Sequence, residues 1–557
     1  VNANPLLTWI DEPSTRQGIR FRQDGAWERW TYADLAGFAG KIAGGLAAAG
    51  VRHDERVVII ERTGPDFVAT LYGVMLAGAI PCPVAPPYLF QNADLYARHL
   101  RAIIDVARPA LVVTAANLVE RLEFDGPVHT AAELAAAGGR ADGPPAGAAL
   151  LQFTSGSSGR VKGVRVPVAA LAANVAAIST WLEMGEGDAT ASWLPVHHDM
   201  GLIGCLFTPV SRQRDLWLLE PAEFIRDPAS YLACFGEHGA TMTAMPPFGL
   251  EYIVRRLSAL PLTGMDFSRW RALIVGAERI DVDVLDRFTA LLAPAGFDRR
   301  ALLPAYGLAE ATLAVTGLAL REEPTSLPVV PQEVRLGSPV TDGGDTVRPV
   351  VGCGRALDGV RVAVVDEDGV ELPERHVGQI VVRGASLAEG YVRDGAATGR
   401  ADDSPAGLTE WHEGALHTGD AGFLDGGQLF VIGRLGDAMK VRGRTLFAED
   451  VESALVDAGV PRLRLTVLLG SSAGGATGVV LLERPTPEWA AAAEATLRRM
   501  TEHATTVVLD VPRRSIARTT SGKPKRREMW TAYVAGKLDA REILPPAGHD
   551  QDEVTTG

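Results

Sequence analysis

The sequence predicts an α/β fold: a large multi-subdomain N-terminal domain with parallel sheets covered by helices plus a small β-rich subdomain, followed by a small α+β C-terminal domain. Three observations lead there. A chain of 557 residues exceeds the size at which one hydrophobic core keeps growing, so two or more domains are expected. Short apolar runs alternate with helix-length amphipathic segments, the pattern of strands joined by covering helices. The 60 glycines and 35 prolines exceed the usual share and cut the chain into many short elements, which argues against a long helical bundle.

Taken in chain order, residues 57–60, 111–114, 150–153, 190–194, 242–244 and 273–275 are short apolar runs that read as buried strands. Residues 32–49, 65–77 and 166–182 carry apolar side chains at helical spacing. After about Leu318 the strand candidates shorten and the Gly-rich turns DGGDTV, GCGRALDG and LDGGQL crowd together, which predicts the β-rich subdomain over about 319–434, inside an N-terminal domain of 1–434. Beyond it, strands near 464–469 and 479–483 and helices near 448–458 and 489–503 compose the C-terminal unit, 435–545. Residues 135–148 read as a surface connection, and the polar tail 546–557 as disordered. No period of 20 to 50 residues repeats, so a solenoid or propeller is not expected.

Composition narrows the function. A formal charge of −14 argues against a general nucleic-acid binder, which needs an excess of Lys and Arg on its binding face. Cys82, Cys205, Cys234 and Cys353 lie far apart with no CxxC pair, so neither a zinc site nor a disulfide framework is signalled. The first residues lack a basic n-region with an apolar h-region, and no segment approaches the roughly 20 apolar residues that span a bilayer. The expectation is a cytoplasmic protein without membrane insertion.

Residues 151–164, LQFTSGSSGRVKGV, set a strand candidate before Thr154, Ser155, Gly156, Ser157, Ser158, Gly159 and then Lys162. Glycines let backbone N–H groups converge on an anion, hydroxyls add donors and the lysine adds charge. This is a phosphate-binding pattern without being a Walker A motif, since Lys162 is followed by Gly163. An ordinary Ser/Gly loop has the same composition, so the surrounding motifs decide between the two. In order they are VGAERI, AYGLAEAT (305–312), HTGD (417–420), GRLGDAMKVRGR (433–444) and RTTSGKPKR (518–526).

With TSGSSGRVKG, these stretches resemble the adenylate-forming superfamily of acyl-CoA ligases, firefly luciferases and peptide-synthetase adenylation domains over nearly the whole chain. The resemblance implies ATP and Mg²⁺ as cofactors and a carboxylic acid as substrate, joined as acyl-AMP with release of pyrophosphate. It assigns the 154–162 loop to the β- and γ-phosphates, Tyr306 and Gly307 to one side of adenine, and Gly276, Ala277 and Glu278 to the other. Glu310 is the implied Mg²⁺ ligand, an oxygen donor suited to a hard cation. Outside its motif Tyr306 would read as a core aromatic and Glu310 as a solvated helix residue. The superfamily often has Thr where this chain has Ala309, which removes one hydroxyl from the expected phosphate contacts.

Asp420 is the implied acceptor for the two ribose hydroxyls, which an ionised carboxylate can bind bidentately, with Arg434 assisting. An isolated TGD is also a common β-turn. Lys523 is the implied catalytic cation, steadying charge as the substrate carboxylate displaces pyrophosphate; its neighbours Lys525, Arg526 and Arg527 read as solvated. The family rotates a mobile C-terminal domain about a hinge that falls here on Gly436, where glycine accepts large φ/ψ changes.

SWLPVHHDMGLIG (192–204) resembles the stretch of fatty acyl-AMP ligases that reads His-Asp-Met-Gly after an aromatic residue, with His197 in the aromatic's place. The form YGLAEAT and extra residues between Thr316 and Leu357, a short version of that branch's insertion, agree. The resemblance puts His198 at the carboxylate end of the acid tunnel, beside Trp193, Asp199, Met200 and the loop 245–249 with Pro247 and Phe248. Neighbours in an extended strand point to opposite faces, so His197 and His198 are not expected to share a metal. The branch implies transfer of the acyl group to the phosphopantetheine thiol of an acyl carrier protein. CoA, an amine, or binding without turnover are the alternatives. Arg513, Arg514 and Arg518 are candidates for a basic docking face, or simply a solvated surface.

Overall fold

The computed structural model describes residues 4–544 apart from 88–92, 121, 140–145, 156–160, 259–261, 342, 344–346, 394–395, 399–408, 442–443, 473–474, 502–503 and 519–522. Two of the expected helices, with a third at Ala131–Ala137 that runs into the stretch read as a surface connection, show why these residues fold as they do. Tyr32–Ala48 starts at a capping box in which the Thr31 hydroxyl accepts the Asp34 N–H and the Asp34 carboxylate accepts the Thr31 N–H. It buries Leu35, Ala39, Ile42 and Leu46 on one face, each large apolar side chain stabilising the fold by roughly 1.5–3 kcal/mol. Its glycines allow backbones to touch: a Cβ at Gly45 would lie 2.0 Å from the Leu134 carbonyl oxygen of helix Ala131–Ala137. Across the interface, a Cβ at Gly73 of helix Pro65–Leu76 would lie 2.9 Å from the Ala39 carbonyl oxygen.

The largest sheet has nine strands, in the order Arg355–Ala356, Ala314–Gly317, Leu302–Gly307, Ala272–Val275, Met242–Met245, Ala189–Ser192, Asp215–Leu219, Gly18–Gln23, Ala26–Thr31. From Leu302–Gly307 to Gly18–Gln23 every pairing is parallel, with antiparallel strands at both ends. A second, wholly parallel sheet runs Ile80–Pro83, Arg56–Ile60, Leu111–Thr114, Val128–His129. The predicted strand at 190–194 stops at Ser192, where the chain turns toward the HHDMG segment.

The expected strand at 150–153 is the exception to the parallel pattern. It belongs to Ala148–Ser155, which pairs antiparallel with Val161–Pro167, and that strand in turn pairs antiparallel with Gly390–Arg393. The apolar run predicted a buried strand correctly; its partner is simply the next strand in sequence. The covering helix Val168–Trp181 follows only after that hairpin.

Beyond Leu318 the structure turns to β, as expected. Val360–Val365, Gly378–Gly384, Ala415–Asp425, Glu410–His412 and Gln428–Arg434 form an antiparallel five-stranded sheet. Between Thr316 and Leu357, Ser326–Val329 pairs with Arg348–Val351 as a separate two-stranded ladder. After Arg434, strands Leu465–Ser472, Gly475–Glu483, Thr505–Val511 and Arg541–Leu544 make a mixed sheet. Helices Ala448–Asp457 and Pro487–Thr501 help enclose a core drawn wholly from Met439 onward. The tail expected to be disordered lies outside the described residues.

Ion pairs hold this last unit against the rest: Arg279–Asp450 at 2.6 Å, Arg462–Asp281 at 3.3 Å and Arg348–Asp457 at 3.5 Å. All four cysteines are buried free thiols. Among the described residues no helix is long and apolar enough to cross a membrane.

Candidate active site

The parallel sheet ends in a cluster of predicted site residues. Tyr306 closes strand Leu302–Gly307 and is buried. Its hydroxyl donates to Asp420 Oδ2 at 2.7 Å, while Arg434 Nε donates to Asp420 Oδ1 at 3.1 Å. Sheet register sets this up, because Asp420 and Arg434 are direct partners across Ala415–Asp425 and Gln428–Arg434. Each carboxylate oxygen keeps a second lone pair, so the two bonds orient Asp420 without exhausting it. Burial, then the Asp420 charge, push the Tyr306 phenol far up, and it stays a donor.

Gly276 and Gly307 are demanded by close approach. A Cβ at Gly276 would lie 2.7 Å from the Ala305 carbonyl oxygen, and one at Gly307 would lie 1.9 Å from that of Leu313. Ala277 (φ 68°) and buried Thr312 (φ 70°) both occupy left-handed backbone, unfavourable for side chains with a Cβ. The Thr312 hydroxyl donates to the Ser386 carbonyl at 2.6 Å, which holds that residue in place.

Glu310 sits on the one-turn helix Ala309–Ala311 and is buried. It is no solvated helix residue: the Tyr391 hydroxyl donates to its Oε1. The same Tyr391 ring lies 4.7 Å beneath the Lys162 ammonium, a cation–π distance. Strand pairing explains the meeting, since Tyr391 pairs with Val164. Thr154 pairs with Lys162 and Ser155 with Val161, so both ends of the Ser/Gly loop are anchored in one ladder. Gly156, Ser157, Ser158 and Gly159 lie outside the described residues.

Lys523 projects among Arg434, Glu278, Asp199 and Asp420. Its side chain still reaches solvent, yet the surrounding protein strips enough hydration to lower its pKa, with Arg434 adding to the effect and the three carboxylates opposing it. Burial raises the Glu278 carboxyl, against the pull of Lys523, Arg462, Arg518 and Arg526.

The acid-binding candidates form an aromatic wall. Trp193 stacks on Phe224 at 4.1 Å with 4° between planes, and meets Phe248 edge-on at 6.3 Å. Pro247 and Phe248 open helix Pro247–Leu257, and Met200 opens the π-helix Met200–Phe207, whose N-terminus Asp199 caps by accepting the Met200 N–H. π-helical turns are rare and concentrate at functional sites.

His197 and His198 do not lie in an extended strand as expected. They sit in the turn before the π-helix, with ring centroids 4.9 Å apart. Burial, then Lys523, lower His198 to about 4, and burial, then His198, hold His197 well below its ordinary range, so both rings are neutral near pH 7. Among the described residues no group of three His, Cys, Asp or Glu could hold a metal ion.

One further expectation changes. Arg526 is not solvated: it is buried between Glu449 (2.7 Å), Glu452 (2.8 Å) and Asp437 (3.2 Å). Lys525 pairs with Glu528 at 3.1 Å, and Arg527 donates to the Gly436 carbonyl at 3.4 Å. Gly436 itself lies in the short turn Leu435–Asp437. A Cβ there would come within 2.2 Å of Arg527 Nη2, the movable tip of a long side chain.

Sequence reasoning missed Tyr391 and Gln152. Gln152 is buried, and its Nε2 donates to the His197 carbonyl at 2.8 Å, tying the strand before the Ser/Gly loop to the HHDMG turn. Tyr391 stands in no motif and Gln152 only in the strand before the Ser/Gly loop; both act through strand pairings or turns that sequence spacing does not reveal.

A carboxylate aligned by a phenol and a guanidinium, facing a lysine delivered by a unit with its own core, is the apparatus of an adenylate-forming ligase. Comparison with known proteins places the chain more closely: residues 11–392 match the AMP-binding enzyme family, and the chain belongs to it. A Caulobacter vibrioides protein to which acyl-CoA synthetase activity is ascribed is 32% identical over 91% of each chain. The medium-chain-fatty-acid–[acyl-carrier-protein] ligase JamA of Moorena producens is 30% identical over 81% of this chain and 79% of its own. A solved structure from work on fatty acyl-adenylate ligases of E. coli and L. pneumophila matches with a TM-score of 0.85 at 28% identity, covering 95% of this chain and 97% of that one.

Proposed function

We propose that this enzyme activates a fatty or related carboxylic acid as acyl-AMP and passes the acyl group to the phosphopantetheine thiol of an acyl carrier protein. The observation that carries the reading is Asp420 held by the Tyr306 hydroxyl at 2.7 Å and by Arg434 at 3.1 Å, within electrostatic reach of Lys523. An acid and a nucleotide bound on either side of that lysine present their reacting atoms to it.

In the first step a carboxylate oxygen of the acid bonds to the α-phosphorus as the bond to pyrophosphate breaks. Negative charge grows on the α-phosphate oxygens and on the leaving group, and Lys523 steadies it. Asp420, aligned by Tyr306 and Arg434, holds the ribose. The Ser/Gly loop and Lys162 hold the terminal phosphates. Mg²⁺ suits the donor set, because buried Glu310 offers a carboxylate whose Oε1 is fixed by Tyr391 and phosphate and water oxygens complete such a shell. When bound, the ion neutralises phosphate charge. In the second step the thiol loses its proton to solvent, its sulfur bonds to the acyl carbon, and AMP leaves with the C–O electron pair.

The stacked wall of Trp193, Phe224 and Phe248 suits an apolar acid tail. The named activity of JamA supports a carrier protein as acceptor, as does the extra ladder between Thr316 and Leu357. The name of the Caulobacter relative supports CoA as the alternative. The buried free thiols fit a reducing, cytoplasmic setting. Mass spectrometry after incubation with ATP, Mg²⁺, an acid panel and either CoA or holo-acyl carrier proteins tests the proposal. Acylated carrier is expected; efficient acyl-CoA formation with unloaded carriers sinks it.

A further inference from the structure

One end of the C-terminal sheet gathers arginine in a chain whose formal charge is −14. Strand Leu465–Ser472 begins where Gly475–Glu483 and Thr505–Val511 finish, because Leu465 pairs with Leu482 and Glu483 with Val511. The residues flanking those three strand ends include Arg462, Arg464, Arg484, Arg513 and Arg514. Arg484, Arg513 and Arg514 are exposed, and between Arg462 and Arg464 stands Leu463, 48% exposed.

Backbone conformation marks the same place. Arg484 (φ 48°) and Arg514 (φ 66°) both occupy left-handed backbone, where glycine or asparagine would sit at lower cost. The acidic groups at this end do not cancel the charge. Glu483 is buried and accepts the Ile516 N–H, and Asp510 is half-buried on its strand; the exposed acids Glu488, Asp539 and Glu542 are outnumbered by exposed Arg484, Arg513, Arg514, Lys537 and Arg541. From the opposite unit Asp281 pairs with Arg462 at 3.3 Å, while Glu278 faces Arg462 and Arg518.

The patch is continuous with the reaction site. The Arg518 guanidinium donates to the Leu463 carbonyl at 3.3 Å, and Arg518 pairs as a β-bridge with Pro524, the residue after Lys523. A partner seated on Arg484, Arg513, Arg514 and Leu463 therefore borders the segment that carries the catalytic lysine.

We propose that this end of the C-terminal sheet is the docking surface for an acidic carrier protein, its carboxylates against Arg484, Arg513 and Arg514 and an apolar side chain over Leu463. The inference rests on the carrier reading above. Charge complementarity selects the partner: free CoA needs no protein-sized basic face, and the overall negative charge disfavours nucleic acid.

The test uses the full chain carrying Arg484→Glu, Arg513→Glu and Arg514→Glu together, and separately Leu463→Ser. Three rates are measured: ATP–pyrophosphate exchange, acyl transfer to a holo-acyl carrier protein, and acyl transfer to free pantetheine. The triple variant is expected to raise the KM for the carrier about tenfold or more and to flatten its salt dependence, with exchange and pantetheine transfer unchanged. Leu463→Ser should raise the same KM while keeping the salt dependence. An unchanged carrier KM in the triple variant, or an equal loss toward pantetheine, overturns the surface. Failure of the unmutated enzyme to load any carrier while forming acyl-CoA overturns the acceptor reading first and the surface with it, so the two failures are told apart.

Discussion

Replacing Tyr391 by Phe removes the hydroxyl that donates to buried Glu310. The ring should remain 4.7 Å under Lys162 and 5.2 Å from Trp411, so packing and the cation–π contact survive. A hydrogen bond to a charged group contributes about 1.5–3 kcal/mol, which corresponds to roughly ten- to a hundredfold in an equilibrium constant. If Glu310 holds the magnesium, that loss falls on metal binding. The apparent Mg²⁺ constant in ATP–pyrophosphate exchange should rise by that factor while the KM for the acid stays put. Excess Mg²⁺ should restore the rate. A Mg²⁺ curve that superimposes on that of the unmutated enzyme, or a deficit that Mg²⁺ cannot repair, refutes the chain from Tyr391 through Glu310 to the metal.

Lys523→Ala should slow adenylation about a hundred- to thousandfold with ATP affinity, measured by equilibrium binding, nearly unchanged; turnover within a fewfold of normal contradicts the assigned role. Because loss of hydration to the surrounding protein, then Arg434, lower the Lys523 pKa from 10.5, its charge is lost as pH rises, and exchange should decline on the alkaline side before pH 10.5. The neutral, buried His197 and His198 bind protons more weakly folded than unfolded, so stability falls as pH drops from 6.5 toward about 4. His197→Phe should shallow that fall in a pH series of thermal melts, and an identical slope counts against it. Gly249→Ala sets a Cβ 2.9 Å from Trp193 Cζ2 and 3.0 Å from Met245 Sδ, so an acid panel should shift toward slimmer substrates with the KM for ATP unaltered; an unchanged profile removes Trp193 from the acid pocket.

The parallel sheets were legible because buried strands and their covering helices imprint different periods on the chain, and residues such as Val57 and Leu273 fall on those periods. Local pattern says less about which strand pairs with which. It made Leu150 look like part of a strand leading to a helix, whereas Val164 and Tyr391 complete an antiparallel layer. It also misread Arg526: a basic run looks solvated until the fold sets Asp437, Glu449 and Glu452 around it. Tyr391 and Gln152 were invisible for the same reason, since their significance lies in partners remote in sequence. Asp420, Glu310 and Lys523 stood out because short polar words surround them.

The Ser/Gly loop joins two antiparallel strands, and helix Val168–Trp181 begins only after the second of them. On the proposed reading, a triphosphate resting there meets a hairpin rather than the start of a following helix, so the peptide dipoles of Val168–Trp181 do not grip it. Attraction for the leaving group would then rest on side-chain charge, from Lys162 beside the loop and Lys523 on the C-terminal unit, and on a divalent ion held by Glu310. If Lys523 withdraws and the ion departs with pyrophosphate, the cradle would keep only Lys162 of these charges, and the protein could discharge one product before admitting the next reactant.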